Sequence, residues 1–185
     1  LHEGGGGSVA GPSKEKKGYG GDPVFARPRF KSVAQTLKEV PVVSAALGPV
    51  AGLPASRFVG SHFRVMVKDN AQILVAGPAV VSRAFGKDFT KEELGGSDVH
   101  KKNGVTDNIA ESEEDAFNQI KKFLSFFPAN IYELPPKKNS KDEANRSEKF
   151  LEEIIPKDRK KTYEMREIIK MVVDDKDFFE MSNFF

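Results

Sequence analysis

The chain has 185 residues, 38% hydrophobic and 30% charged, with 29 basic and 27 acidic residues and a formal net charge of +2. That balance describes a globular chain long enough for one domain and part of a second, without the basic footprint of a nucleic-acid binder. With no cysteine, disulfides, thiolate zinc sites and a catalytic thiol are excluded, and the widely spaced His2, His62 and His100 form no metal-ligand pattern, so no metal site is expected.

The chain opens LHEGGGGSVAG without an initiator methionine and reads as a fragment, its first 23 residues a glycine-rich loop with Lys14, Lys16 and Lys17 at its centre. FKSVAQTL, from Phe30 to Leu37, sets Phe30, Val33, Ala34 and Leu37 on one face of a short amphipathic helix. The apolar run 41–47 reads as a strand that stops at the turn Gly48-Pro49. The uncharged stretch from Pro41 to Ser56 is too short and too rich in Gly and Pro to span a bilayer, and no signal-peptide pattern opens the chain; a soluble protein is expected.

PASRFVGSH reads as a short helix, followed by strands at 63–67 and 72–77. Pro78 begins a helix, PAVVSRAF, that Gly86 closes. Strand, Gly-Pro turn and helix thus occur at Gly48-Pro49 and again at Gly77-Pro78, each directing free N–H groups to a spot that favours negative charge. Thr90 to Leu94 makes a brief helical turn ending at Gly95-Gly96. Ser112-Glu-Glu-Asp reads as a capping box, and the helix behind it lines up Ala116, Phe117, Ile120, Phe123, Leu124 and Phe127 until Pro128.

Residues 135–149 lack a large apolar side chain and read as an exposed linker; beyond it, Tyr163, Met165, Ile168, Ile169 and Val172 mark a helix, and DDKDFFEM a turn into a new strand. Short strands alternating with helices argue for an α/β fold.

No Ser-His-Asp triad presents itself, and the acidic pairs Glu92-Glu93 and Asp174-Asp175 sit in charged surroundings. What the sequence offers is backbone: glycines at 4 to 7, 48, 52, 77, 95 and 96. Reactions that build an oxyanion can be catalysed by such N–H donors, each worth about 3 kcal/mol.

The succession LGPVAGLPASR, VMVKDNAQILVAGPAVV, TKEELGGSDVHKKNGVTDN and YEMREIIKMVVDDKDFFE resembles the carboxyltransferase (beta) subunits of biotin-dependent acyl-CoA carboxylases, such as the propionyl-CoA and methylcrotonyl-CoA enzymes. The resemblance is collinear over nearly the whole chain. It implies a crotonase-like fold, a superhelix of ββα units, with residues 1–134 as the second half of the N domain, 135–149 as linker and 150–185 as the start of the C domain. It implies transfer of a carboxyl group from carboxybiotin to the α-carbon of an acyl-CoA, in the metabolism of fatty acids or branched-chain amino acids. Biotin would sit on a partner carrier, the active site would form between subunits of a hexamer, and the 185-residue piece alone would be inactive. The compartment implied is the mitochondrial matrix in a eukaryote and the cytoplasm otherwise.

Since the cofactor supplies the base, the protein has only to stabilise oxyanions on the thioester enolate and the biotin ureido oxygen. The family's N-domain oxyanion pair falls on Gly52 and Leu53, where Leu53 replaces the second glycine and Pro54, which has no N–H, follows. Gly77-Pro78, Gly95-Gly96 and His100 match further family signatures, read either as ligand-facing or as turn and packing residues, with His100 more simply a hydrogen-bonded loop histidine and His62 structural. His2-Glu3-Gly4 stands where the family has a Gln-Glu-Gly loop beside the active site, which places Gly4 and Gly5 against the ligand. Two other readings stay open: a biotin-dependent decarboxylase or transcarboxylase subunit, and a non-catalytic structural paralogue suggested by Leu53-Pro54.

Overall fold

The computed structural model describes residues 29–143 and 145–184. The first helix, α1 (Arg29–Glu39), leads into strand β1 (Val43–Ala46), which is followed at once by β2 (Pro49–Ala51) and helix α2 (Leu53–Val59). The same order repeats in β3 (Phe63–Val67), β4 (Gln72–Leu74) and α3 (Pro78–Phe85). Short helices α4 (Lys91–Gly95) and α5 (Ser97–His100) then precede β5 (Asn108–Ala110) and α6 (Glu113–Leu124).

The repeat is visible in the pairing. β1 runs parallel to β3 with Val43 opposite Phe63, and β2 runs parallel to β4 with Pro49 opposite Gln72. Each ββα unit therefore gives its first strand to one sheet and its second strand to another, and the units stack by translation. β5 extends the first sheet in the order β1-β3-β5, also parallel. These are the stacked ββα units of a crotonase-like fold, as the resemblance implies.

β3 is the centre of the core because FRVMV is apolar at every position but Arg64, as suits a parallel strand covered on both faces. Phe63, Val65 and Met66 are fully buried. Helix α6 closes over it: Ala116 and Phe123 are buried, and the Phe123 ring stacks on Phe63 with centroids 4.9 Å apart. Arg64, on the same strand, meets Asp107 in a bidentate pair, with Nε to Oδ2 at 2.9 Å and Nη2 to Oδ1 at 2.6 Å, while the Arg64 amide also donates to Oδ2. This pair fastens β3 to the loop that enters β5.

Several local expectations shift. Pro49 is the first residue of a strand rather than part of a free turn, a position where its missing N–H costs little. β4 ends at Leu74, so Val75 lies outside the ladder and is 96% exposed. β5 and α5 are too short and too polar to show a period. Ser112 does cap α6, accepting from the Asp115 amide, but the Asp115 carboxylate reaches back to the Glu111 amide, so the reciprocal box is incomplete. The complete box belongs to Thr90 and Glu93 on α4. Helix α6 ends at Leu124, short of Pro128, and leaves Phe117 on an exposed face.

The chain divides into two compact units, one running to Pro135 and resumed from Met181, the other Pro136–Glu180. In the second, α7 (Met165–Val172) begins after Tyr163, with Glu164 as its cap. Arg146 closes its far end, donating to the Met171 carbonyl at 2.7 Å and pairing with Asp142. Asp174–Lys176 forms a single 3-10 turn, and no strand follows among the described residues of this unit.

Candidate functional site

The feature that organises the first unit is β4, and within it the carbonyls of Ile73 and Leu74. Gly52, at the start of α2, donates its amide to the Leu74 carbonyl at 3.1 Å, extending the β2–β4 ladder. Its backbone sits at φ 68, ψ −130, a conformation that is essentially glycine's alone. That kink lets a strand turn directly into a helix. Downstream, the Gly52 carbonyl accepts from Ser56, and Ala55 and Phe58 bury the inner face of α2.

The kink also decides which amides are available. Gly52's is occupied by Leu74, and Pro54 has none. The amides of Leu53 and Ala55 have no hydrogen-bond partner among the described residues. Leu53 is 43% exposed, so this end of α2 opens outward. Gly77 occupies the matching position in the next unit, as the extended cap of α3 before Pro78, with open space where a Cβ would stand. Its carbonyl accepts from Val80 and Val81.

Gly95 and His100 approach the same stretch of β4. A Cβ on Gly95 would lie 2.0 Å from the Ile73 carbonyl oxygen and 2.8 Å from Leu74 Cδ2, so α4 can rest on β4 only because residue 95 has no side chain. A Cβ on Gly96 would meet Glu92. His100, buried at the end of α5, donates from Nε2 to the Ile73 carbonyl at 2.8 Å. A carbonyl can only accept, so Nδ1 is left to accept from the Asn103 amide at 3.3 Å. Gly52, Gly95 and His100 therefore meet on adjacent residues of one strand, whereas Gly4 and Gly5 lie outside the described residues.

His62 exchanges hydrogen bonds with Val42 through its own amide and Nδ1, which prolongs the β1–β3 ladder. At α4, the Thr90 backbone amide and hydroxyl hold the Glu93 carboxyl below the usual carboxylate range. Among the described residues no cluster of three or more His, Asp or Glu is placed to hold a metal ion, and no helix is long and apolar enough to cross a membrane. The Ile73–Leu74 hub is invisible in sequence because its contacts are made by main-chain atoms of an ordinary apolar strand.

Compared with known proteins, residues 15–185 match the model of the carboxyl transferase domain. The chain belongs to the carboxyl transferase domain family. It is 32% identical over 147 residues to the methylmalonyl-CoA decarboxylase alpha subunit of Veillonella parvula, covering 79% of this chain and 29% of that protein. It is 33% identical over 151 residues to the propionyl-CoA carboxylase carboxyltransferase subunit of Haloferax mediterranei, covering 81% and 29%. Among solved structures, transcarboxylase 12S, a hexamer crystallised with hydrolysed methylmalonyl-coenzyme A bound, superposes with a TM-score of 0.77 at 31% identity, covering 83% of this chain and 30% of that one. The chain therefore spans less than a third of the length of these carboxyl transferase relatives.

Proposed function

We propose that this chain is part of a carboxyltransferase subunit that moves a carboxyl group from carboxybiotin to the α-carbon of an acyl-CoA. The observation that carries the reading is the carboxyl transferase match over residues 15–185, which spans the whole α2–β4–α5 arrangement. In a complete subunit, residues 1–134 would belong to the N domain and residues from 150 to the C domain. A biotin-bearing carboxylase partner and a homo-hexamer would complete the assembly, in the cytoplasm or the mitochondrial matrix.

Carboxybiotin, delivered by the partner, would supply the carboxyl group and the base for the α-proton. The work left to this chain is electrostatic. The amides of Leu53 and Ala55, without a partner among the described residues, are the donors it offers to a thioester enolate or ureido oxyanion, and such donors need no reorganisation as charge develops. Gly52 then acts through its backbone shape, since its own amide is held by Leu74. Gly77, Pro78, Gly4 and Gly5 would border the ligand; Gly95, Gly96 and His100 would hold β4 in place behind it.

The test is bicarbonate- and ATP-dependent carboxylation of acetyl-, propionyl- and methylcrotonyl-CoA by the full-length protein with its biotin partner. Carboxylated product from at least one ester is expected, and none from any of them overturns the reading. A decarboxylase or transcarboxylase is the second reading, favoured by the likeness to the Veillonella parvula decarboxylase subunit and to transcarboxylase 12S. It would release or pass on the carboxyl group of a carboxylated CoA ester without ATP.

A further inference from the structure

Asn103 is the only asparagine of the chain that is followed by glycine. The pair ends the turn 101–104 that leaves α5, with Asn103 exposed and Gly104 at φ 74, a left-handed conformation that suits a residue without a Cβ. The Asn103 side chain is held at both of its polar atoms. Its oxygen accepts from the Val105 amide at 3.1 Å, and its nitrogen donates to Nδ1 of the buried His100 at 3.3 Å. The Gly104 amide has no hydrogen-bond partner among the described residues.

This arrangement favours a reaction within the chain. A side-chain carboxamide is open to attack by the main-chain nitrogen of the next residue, and two things obstruct it: a side chain on the attacking residue, and a hydrogen bond that occupies its N–H. Gly104 has no side chain, and its N–H meets no acceptor among the described residues. The Val105 amide meanwhile points at Oδ1, the atom on which charge builds during the attack. Asn70 is the contrasting case. Ala71 follows it with a methyl group and an amide bound to the Val67 carbonyl at 3.0 Å, and its own Nδ2 donates to the Leu47 carbonyl.

We infer that Asn103-Gly104 is a site of spontaneous self-modification, where Asn103 becomes aspartate or isoaspartate and withdraws the donor that faces His100. A bond forms between the Gly104 nitrogen and Asn103 Cγ, the Cγ–Nδ2 bond breaks, and ammonia leaves with the proton that the Gly104 nitrogen gives up. Water then opens the cyclic imide. Cleavage at Cγ leaves aspartate, and cleavage at the main-chain carbonyl carbon leaves isoaspartate, with the chain now running through Cγ. Either product replaces an NH2 group by a carboxylate, which can only accept, so His100 Nδ1 loses its donor. His100 also holds the Ile73 carbonyl at 2.8 Å, so the change is made beside an attachment of β4. The inference is independent of the carboxyl-transfer reading.

The test ages the natural full-length protein at neutral pH and physiological temperature. Conversion is followed by mass spectrometry, with sites localised by fragment ions and isoaspartate marked by isoaspartyl methyltransferase. Asn103 should convert several times faster than Asn70, or than Asn118 inside α6, in the same molecules. A rate no higher than at those two would overturn the inference. Asn103→Gln, whose longer side chain has to close a larger ring, should stop conversion at this position, and an undiminished rate there would equally overturn it. Amide hydrogen exchange of the aged protein reads the consequence. Segment 97–105 should exchange faster in modified than in unmodified molecules, and equal exchange would overturn the loss of support at His100.

Discussion

Gly52 gives its amide to Leu74 at 3.1 Å from a backbone of φ 68, so a hydrogen bond and a glycine-only conformation are joined in one residue. Gly52→Ala should therefore cost about 2 kcal/mol, seen as a lowered Tm in thermal unfolding. Gly77→Ala is the matched control. Its φ is −71 and a Cβ there meets nothing within 4 Å, so it should leave Tm nearly unchanged.

The packing of α4 on β4 gives a sharper expectation. Gly95→Ala drives a methyl group into the Ile73 carbonyl, a main-chain atom that cannot swing away, and about 3 kcal/mol of stability should be lost. His100→Gln keeps a donor within reach of the same carbonyl, whereas His100→Phe leaves that carbonyl unpaired. Denaturant unfolding should rank Gln above Phe, with a difference of about 1–3 kcal/mol.

Removing Asp107 strands Arg64, whose side chain is only 19% exposed against 7% for its partner. Asp107→Ala should cost about 3 kcal/mol in urea unfolding. Replacing both partners with apolar residues, Arg64→Met with Asp107→Leu, should cost less than the single change, because no charge is then left unpaired.

The Thr90–Glu93 box sets an acid limit. Glu93's carboxyl is held below its ordinary value of 4.5, chiefly by the Thr90 amide and then by the Thr90 hydroxyl. A lowered folded value means the contribution is present above that ordinary value and fades as pH falls through the lowered one. Glu93→Gln can still accept from Thr90 but cannot titrate. Its stability, followed by circular dichroism from pH 7 to 3, should lose that part of the acid-side slope.

Leu53 separates a main-chain role from a side-chain one. If its amide is an oxyanion donor, Leu53→Pro, which removes the N–H at the first helical position where proline is tolerated, should lower kcat by about 10²–10³ with an unchanged circular dichroism spectrum. Leu53→Gly keeps the amide and should stay within about tenfold of the natural protein. Activity in Leu53→Gly alone would point instead to a non-catalytic paralogue.

Sequence reasoning reached those parts of the molecule that have a period or a punctuation mark. FRVMV could only be a buried strand, Pro78 and Gly86 bracket α3, and the family motifs led to the carboxyl transferase domain. It missed β5 and α5, where three or four residues carry no period and pairing with β3 or β4 decides the structure. Nor does a string of letters tell that the Leu74 carbonyl stands in front of the Gly52 amide. The Arg64–Asp107 pair joins residues 43 positions apart, a distance over which local rules are silent.

The meeting of Gly52, Gly95 and His100 on Ile73 and Leu74 uses carbonyl oxygens, which every amino acid carries. Mutational drift can exchange the side chains of β4 for others of similar bulk without loosening a single one of those attachments. The positions that cannot drift are the ones where a methyl group would intrude. A chain that agrees with its relatives at only about one residue in three can in this way keep their architecture.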